Sequence, residues 1–186
     1  MLEKMSKHEL VMIVEFFKRS GQLKRISRSG WVRVGIKSPE SVADHTFRTA
    51  LLCMIFSNLE GLNELKMLQM ALTHDLPEVV VGDLTPSEKV KATVNSEENA
   101  MKSLLALLPK KIGDKYIQIW HEYAVGETDE AKAVRQLEKL EMALQAMEYK
   151  EDEAAKESLK EFIKSAEESI QSSAIKTLFS CIRSFT

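Results

Sequence analysis

Residues 73–83 of this 186-residue chain read THDLPEVVVGD and place one histidine and three carboxylates within ten positions. His74 and Asp75 are adjacent, and Glu78 and Asp83 follow three and eight positions after Asp75. Imidazole nitrogen and carboxylate oxygen are ligand atoms for divalent zinc, cobalt, manganese or iron, and additional carboxylates suit a site that activates water. The segment therefore predicts half of a metal centre, whose remaining ligands must come from elsewhere in the chain.

The residues around 73–83 indicate where His74 and Asp75 lie in the fold. Asn63 can cap a helix that begins at Glu64. Because Pro77 disfavours helical geometry at the residue before it, the helix should end at His74 or Asp75. Adjacent helical residues diverge by about 100°, so the pair can share one ion only beside the helix terminus. Other ligands must then arrive from separate helices.

Apolar residues recur at helical spacing along most of the chain, and the sequence shows no convincing β-strand pair, glycine-rich phosphate loop or internal repeat. These patterns predict an all-α protein. In the first helix, Leu10, Ile13, Val14 and Phe17 form an apolar face that should pack in the core. The predicted helices cover approximately residues 7–19, 39–59, 64–75, 86–108 with a break near 95–96, 113–124 and 129–149, with one or two more between 151 and 186.

Several of these helices have recognisable start signals. A capping box with Ser6 and Glu9 precedes the first helix, and Ser38 followed by proline predicts the start of the helix that carries His45. Thr85 begins another capping box with proline at its first helical position, and Thr128 can cap the long helix that follows.

Length and composition bound the class of protein. The apolar share of 44% and the length predict one globular domain over residues 1–186, with helices at 151–186 following the part that carries the motifs. Cys53 and Cys181 are too few for a disulfide framework, and no secretion signal or long apolar run is present. We therefore expect a cytoplasmic protein that does not cross a membrane. The net charge of −2 argues against broad nucleic-acid binding.

The basic residues are unevenly distributed. Residues 16–39 contain seven basic side chains and no acid, whereas the rest of the chain carries 19 basic and 28 acidic residues. Within this segment Arg28 could bind phosphate oxygens and Trp31 could cover a base or sugar. A solvated basic loop, with the tryptophan packed on the core and the arginine facing solvent, is the alternative.

Two further positions could supply ligands. His45 lies in the second turn of its helix beside Asp44, although a single helical histidine is more often a core residue than a ligand. Glu138 and Glu141 lie next to the apolar stripe of the last long helix before residue 150 and could sit at the edge of its buried face.

Taken together, these residues closely resemble the HD-domain phosphohydrolases, and most closely their 5′-deoxynucleotidase branch. The resemblance covers roughly residues 8–150, so it spans most of the chain. The segments that carry it are GQLKR at 21–25, RSGW at 28–31, ESVADH at 40–45, HD at 74–75, Glu78, VGD at 81–83, LEM at 140–142 and QAMEY at 145–149.

The resemblance implies an all-α HD-domain helical bundle with one metal ion held by three separate helices. The implied ligands are His45, His74, Asp75 and Glu138. The family usually has aspartate at the last position, and glutamate is one methylene longer. It must therefore coordinate from a retracted backbone, coordinate through water, or not coordinate at all. Glu141, one turn further on, is a possible substitute.

The resemblance also assigns roles to the remaining residues. Glu78 and Asp83 would orient the nucleophile and handle protons at the leaving 5′-oxygen. Arg28 would bind phosphate, and Trp31 would form a wall of the nucleoside pocket. The expected ion is cobalt or manganese, with zinc, iron or magnesium as alternatives. Since only four histidines are present and two of them are used, a single-metal monoesterase is the simplest interpretation, although a second ion held by carboxylates and water stays open.

The predicted activity is removal of the 5′-phosphate from deoxynucleoside or nucleoside 5′-monophosphates. The enzymatic alternatives are hydrolysis of guanosine tetraphosphate, a nucleoside triphosphate or a cyclic diester. The other alternative is a non-catalytic nucleotide-binding or scaffold protein that has lost its metal site because glutamate replaces the family's aspartate at position 138. The family resemblance also predicts a homodimer, and nine methionines are compatible with apolar surface available for association.

Overall fold

The computed structural model describes residues 2–85, 96–149 and 156–185. Within these ranges the chain contains ten α-helices and no β-strand, and one isolated antiparallel bridge joins Ser27 to Ser41. The predicted all-α class is confirmed. The helices are α1 (Lys7–Ser20), α2 (Ser29–Arg33), α3 (Val42–Glu60), α4 (Glu64–Thr73), α5 (Glu78–Val81), α6 (Ser96–Leu105), α7 (Lys110–Val125), α8 (Asp129–Glu148), α9 (Lys156–Ser169) and α10 (Ser173–Phe185), with 3-10 helices at Leu2–Lys4 and Gly21–Arg25.

Three of the predicted helix starts are present with their side-chain caps. Ser6 and Glu9 form the reciprocal capping box of α1. Asn63 accepts a hydrogen bond from the Lys66 amide at the start of α4, and Thr128 accepts one from the Ala131 amide at the start of α8. Each cap satisfies an amide that has no partner inside its own helix. The predicted start at Thr85 falls largely on residues 86–95, which lie outside the described ranges.

The predicted start of the second long helix at Ser38 is wrong. Helix α3 begins instead at Val42, because Ser41 and Asp44 form a capping box there. The residues just before it are extended and pair with the Arg28 segment, since the Arg28 amide donates to the Glu40 carbonyl and the Val42 amide to the Ile26 carbonyl. This pairing brings the basic segment beside the first turns of α3.

Two other boundaries differ from the sequence-based expectation. Residues 21–39 are not wholly irregular, because the 3-10 helix Gly21–Arg25 and helix α2 lie within them. Helix α7 begins at Lys110, directly after Pro109, three residues earlier than the predicted start at Gly113. Helix α6 begins at Ser96, at the predicted break, and two helices follow residue 155 as expected.

Helix α8 is the centre of the bundle. It contacts α3, α4, α7, α9 and α10. Its buried residues Val134, Leu137 and Leu140 join residues of α3, α4 and the two C-terminal helices in the largest apolar cluster. A second cluster around Met101 and Trp120 links α6 and α7 to the start of α3. The ends of α3 and α4 nearest the second cluster carry the histidines.

The prediction that the apolar face of α1 packs in the core is wrong. None of its residues is buried, and Leu10, Val14 and Phe17 are exposed. The helix contacts chiefly the 3-10 helix after it and α6, so its apolar face has little protein to pack against. Within the described residues, the chain has no helix with the length and hydropathy needed to span a bilayer.

Replacing Leu137 with alanine should lower the free energy of unfolding by about 2–5 kcal/mol, because a fully buried side chain leaves a cavity in the largest cluster. Chemical denaturation followed by circular dichroism measures this change. Leu65→Ala is the matched control, since Leu65 is 63% exposed and its removal should alter the unfolding free energy by less than about 0.5 kcal/mol. Equal effects of the two variants would contradict the assignment of the core.

Candidate metal centre

His45 lies in the first turn of α3, one residue after the Asp44 of the capping box. Its imidazole is completely buried. The Nδ1 atom makes a very short hydrogen bond to Oε2 of Glu141 on α8. Because Nδ1 is directed at this carboxylate, Nε2 points the opposite way, toward the end of α4.

His74 and Asp75 lie where α4 ends, as the sequence predicts. Helix α4 closes at Thr73, and His74 is its C-terminal cap. The His74 Nδ1 atom lies 2.7 Å from the Ala71 carbonyl oxygen, which fixes the ring. Trp120 of α7 donates a 3.2 Å hydrogen bond to the His74 carbonyl, and the ring of Tyr123 packs edge-on against the imidazole at 5.4 Å.

Three ligand atoms converge between α3 and the end of α4. Asp75 Oδ2 lies 3.1 Å from His74 Nε2 and 3.8 Å from His45 Nε2. Two ligands of a tetrahedral zinc ion, each about 2.1 Å from the metal, are about 3.4 Å apart. The observed separations therefore match the spacing that a divalent ion needs.

The hydrogen bonding of these atoms supports the same interpretation. Across residues 2–85, 96–149 and 156–185, His45 Nε2, His74 Nε2 and Asp75 Oδ2 are buried and have no well-directed hydrogen-bond partner. A buried polar atom without a partner is costly, so native proteins rarely leave three together unless an ion or water satisfies them. The donor set of two imidazoles and a carboxylate fits zinc, cobalt, manganese or iron.

A second group with suitable ligand atoms surrounds the other side of His45 and consists of Glu40, His45 and Glu141. Its acids already have partners. Arg48 Nε donates to Glu141 Oε1 at 2.9 Å, and Trp31 Nε1 donates to Glu40 Oε1 at 2.8 Å. These bonds occupy one oxygen of Glu40 and one of Glu141, and Glu141 also contacts the Nδ1 atom of His45.

Glu141 was a possible substitute ligand from the sequence, and its carboxylate lies on the Nδ1 side of His45, away from the three converging ligand atoms. Its role as a ligand stays a prediction. Its carboxylate contacts the Nδ1 side of His45, whereas the free Nε2 atom faces Asp75. A carboxylate behind a metal-binding histidine fixes the ring and makes its other nitrogen a better ligand. Glu141 is therefore placed to fix the orientation of the His45 ring.

Glu138 lies one turn before Glu141 on α8, but the structure does not place it within the group of three ligands. Its Oε2 accepts a 2.6 Å hydrogen bond from Tyr123, and its Oε1 accepts one of 3.0 Å from Lys139. Burial by itself would raise the pKa of Glu138, but Lys139 and His74 lower it to about 2. The carboxylate is thus ionised near the centre, and its role as a ligand stays a prediction.

Arg28 lies at the edge of the centre. Its Nη1 atom is 3.3 Å from Asp83 Oδ1 and 3.8 Å from Asp75 Oδ2. The Asp83 carboxylate also accepts a 2.6 Å hydrogen bond from the Ser29 amide at the start of α2. The guanidinium does not face solvent freely, so the alternative of a surface arginine is not supported.

Gly82 makes the position of Asp83 possible. Helix α5 ends at this glycine, whose φ of 77° and ψ of 168° belong to a region that side chains strongly disfavour. The sharp change of direction turns the chain from α5 toward the Arg28 segment. Glu78 lies at the other end of α5 and is buried, with 3% of its surface exposed. The predicted catalytic carboxylates therefore flank one four-residue helix.

Trp31 is not among the residues around the histidines. Its indole is 2% exposed and packs against Phe162 at a ring distance of 4.5 Å and against Tyr149 at 5.5 Å. This placement agrees with the alternative in which the tryptophan packs on the core. Its predicted contact with a nucleoside stays a prediction, while its observed polar contact is the hydrogen bond to Glu40.

The charges around Asp75 and His74 shift the pKa of each group. Burial by itself would raise the pKa of the Asp75 carboxyl, but His74 and Arg28 hold that pKa well below its ordinary value. Burial would lower the pKa of the His74 imidazole, yet Asp75 and Glu138 raise it. The acidic groups therefore increase the affinity of this site for positive charge, and a metal ion would compete with a proton for His74.

Sequence reasoning did not identify Arg48 or Tyr123, and it considered Glu141 only as a possible ligand. Arg48 follows His45 by three positions on α3, and Glu141 follows Glu138 by three positions on α8. This spacing places each pair on one helix face, which was the available signal. Tyr123 gave no comparable signal, because its contact with Glu138 joins two separate helices. Trp120 is a buried packing residue, and the side chain of His121 is 45% exposed.

Comparison with known proteins decides the family. The sequence model of the HD domain matches residues 20–178. This chain belongs to the HD-domain family. The all-α fold of this HD-domain protein is the one that its sequence resemblance implied.

Curated relatives of this HD-domain protein are similar over most of its length. Human 5′-deoxynucleotidase HDDC2 is 37% identical over 159 residues, which cover 84% of this chain and 78% of the human protein. The 5′-deoxynucleotidase HDDC2 of Dictyostelium discoideum is 39% identical over 145 residues, covering 73% and 76%. A solved structure of a conserved hypothetical protein from Pyrococcus furiosus matches with a TM-score of 0.74 and 30% identity, over 91% of this chain and 98% of that one.

Replacing Gly82 with alanine should lower the free energy of unfolding by about 1–3 kcal/mol, because the backbone conformation there excludes a Cβ atom. An added Cβ would meet no atom within 4 Å, so the loss would come from backbone strain alone. Chemical denaturation measures it. Gly21→Ala is the control, since Gly21 has helical backbone angles and equal open space. If Gly82→Ala and Gly21→Ala had the same free energy of unfolding, backbone strain at position 82 would be ruled out.

Proposed function

We propose that this chain is a metal-dependent 5′-nucleotidase that removes the phosphate from deoxynucleoside or nucleoside 5′-monophosphates. The observation that carries the proposal is the convergence of His45 Nε2, His74 Nε2 and Asp75 Oδ2 as buried atoms without well-directed hydrogen bonds among the described residues. Arg28 lies beside them and offers a cation for phosphate. The curated relatives named above carry the name 5′-deoxynucleotidase.

The two imidazoles and Asp75 would hold one divalent ion. A bound ion of this kind lowers the pKa of water from about 15.7 toward 7 and stabilises charge on a phosphoryl oxygen. Cobalt or manganese is the proposed activating ion, with zinc, iron or magnesium as alternatives. Glu138 is the proposed fourth ligand, directly or through water, because its ionised carboxylate lies on the helix that faces both histidines.

The other residues of the centre would bind and orient the substrate. Arg28 would contact the phosphoryl oxygens, because a guanidinium donates two parallel hydrogen bonds to such a group. Glu78 and Asp83 would orient the attacking water and handle protons. In the reaction the attacking water would give up a proton as its oxygen bonds to phosphorus, the bond from phosphorus to the 5′-oxygen would break, and the 5′-oxygen would receive a proton. Trp31 would support the nucleoside side of the pocket through Glu40.

A nucleotide is the proposed partner, and not a nucleic acid. The chain carries a net charge of −2, and Arg28 of the basic segment faces the acids of the centre. A protein that binds a polynucleotide broadly instead presents many basic groups to solvent. The two free thiols, Cys53 and Cys181, also suit a reducing cytoplasmic location, which we propose on that ground.

Metal-loaded protein should release inorganic phosphate from dAMP, dCMP or dTMP, and Asp75→Ala should abolish the release, because it removes a carboxylate shared between both histidines. A colorimetric phosphate assay over a panel of nucleotides and metals measures the activity. Asp114→Ala is the control. Its carboxylate pairs with Lys110 on the exposed face of α7, so the activity should stay unchanged.

The same assay separates the alternatives. No phosphate release from any nucleotide with cobalt, manganese, zinc or magnesium would refute the nucleotidase proposal. Preferential hydrolysis of guanosine tetraphosphate, a nucleoside triphosphate or a cyclic diester would identify another phosphohydrolase. A protein that is inert and metal-free until Glu138→Asp restores activity would instead favour the non-catalytic interpretation.

We also propose a homodimer. Four apolar residues on α3, spaced four apart, are exposed along one side of the helix: Phe47, Leu51, Ile55 and Leu59. A continuous apolar row of this kind on a soluble helix is typical of an association surface, and a symmetric pair of helices would cover both rows at once. The proposal rests on this row and on the family resemblance.

Ile55→Lys should convert the dimer to a monomer, because it places a charge in the middle of the apolar row. Size-exclusion chromatography with multi-angle light scattering gives the mass of each species. Val125→Lys is the matched control, since Val125 is also exposed but lies at the end of α7. A wild-type mass of one chain, or a dimer that persists in Ile55→Lys, would contradict the proposed interface.

A further inference from the structure

We infer that Arg48 is a positioning residue for the metal centre and that it acts through Glu141 on His45. The inference rests on the proposed function, since it takes His45 as a metal ligand. Arg48 touches none of the three converging ligand atoms. Its guanidinium instead lies behind the histidine, on the side of the bundle where α3 faces α8.

The bonds of Glu141 give the first argument. The side chain is completely buried, and each of its oxygens has a different donor. Oε1 accepts from Arg48 Nε at 2.9 Å, and Oε2 contacts His45 Nδ1. Arg48 therefore balances the charge of this carboxylate and fixes its plane at the same time. A buried carboxylate that loses its cationic partner is destabilised and no longer has a fixed orientation.

The orientation of His45 follows from that of Glu141. Oε2 of Glu141 is the natural acceptor of this hydrogen bond, so we assign the proton of the imidazole to Nδ1. The lone pair is then on Nε2, the atom that faces Asp75 and His74. Because carboxylate partners of metal-binding histidines fix both the tautomer and the ring angle, a change in Glu141 is transmitted to the ligand atom.

Arg48 is itself held by the next turns of α8. Its Nη1 atom donates to both oxygens of Glu148, at 2.6 and 2.8 Å, and its Nη2 atom makes a very short contact with Gln145. Glu141, Gln145 and Glu148 are spaced four and three residues apart and so lie on one face of the helix. One guanidinium thus sets the register of α8 against α3 beside His45.

The alternative is that Arg48 only joins two helices. Its bonds to Gln145 and Glu148 would serve that purpose without any effect on a metal ion. The two roles differ in one respect, because only the positioning role requires Glu141. A double-mutant cycle between Arg48 and Glu141 separates them, since residues that act through one another do not have additive effects.

The first measurement is Co²⁺ affinity by calorimetry for the wild type, Arg48→Met, Glu141→Gln and the double variant. Arg48→Met should weaken binding by about 10- to 100-fold, the usual effect of losing an outer partner of a metal ligand. In the Glu141→Gln background, Arg48→Met should weaken binding by no more than about twofold further. Glu148→Gln is the matched control, since it removes only the outer bond of Arg48 and should leave the affinity near that of the wild type.

The second measurement uses metal-free protein. In the proton NMR spectrum, the His45 Nδ1–H proton bonded to Glu141 should give a downfield signal, identified by its loss in His45→Asn. The signal should move or broaden in Arg48→Met and persist in Glu148→Gln. Arg48→Lys restores the positive charge, so it should recover part of the signal and of the Co²⁺ affinity. Arg48→Lys also provides the test if Arg48→Met does not fold.

Two results would overturn the inference. One is wild-type Co²⁺ affinity with an unchanged His45 signal in Arg48→Met, or in Arg48→Lys if only that variant folds. The other is that Arg48→Met weakens Co²⁺ binding equally in the wild type and in Glu141→Gln. That result would mean that Arg48 acts only by joining the two helices. If the wild type binds no Co²⁺, the proposed metal function fails, and the His45 signal in metal-free protein still decides the role of Arg48.

Discussion

Burial of charged and polar groups between α3, α4 and α8 is the constraint on which this structure depends. His45 and Glu141 are completely inaccessible to solvent, and His74 and Glu78 nearly so. Such groups destabilise a protein core unless each finds a partner. Glu141 receives its partners from α3, and His74 uses the Ala71 carbonyl of its own helix. These hydrogen bonds use the Nδ1 atoms of both histidines, so His45 Nε2, His74 Nε2 and Asp75 Oδ2 face each other. A divalent ion would satisfy these three atoms.

The same constraint explains why α8 lies at the centre of the bundle. One face of this helix supplies apolar residues such as Leu137 and Leu140 to the largest cluster. A neighbouring face carries Glu138 and Glu141 toward the histidines of other helices. The apolar packing fixes the position of the helix, and the position of the helix in turn fixes the carboxylates. Stability and site geometry therefore depend on the same few turns of α8.

The differences between the predicted and observed structure have specific causes. Ser38 followed by proline is a good local helix start, but residues 40–42 instead pair with the segment 26–28, and the capping box of Ser41 and Asp44 begins the helix later. The amphipathic pattern of α1 predicted a helix correctly but its burial wrongly, because the fold places little protein against its apolar face. Trp31 could serve a pocket or a core on sequence grounds, and the approach of Phe162 from α9 placed it in the core. In each case the outcome depended on how distant segments pack, which a local sequence pattern does not record.

The sequence by itself determined the all-α class, the caps of α1, α4 and α8, and the position of His74 and Asp75 at a helix end. These features depend on hydrogen bonds and periodicity within a few residues. Only the tertiary structure decided that Glu141 lies behind His45, that Arg48 holds Glu141, and that Tyr123 and Lys139 bind the Glu138 carboxylate. Most of these contacts join residues 15 to 96 positions apart, so their geometry follows from how the helices pack and not from any local pattern.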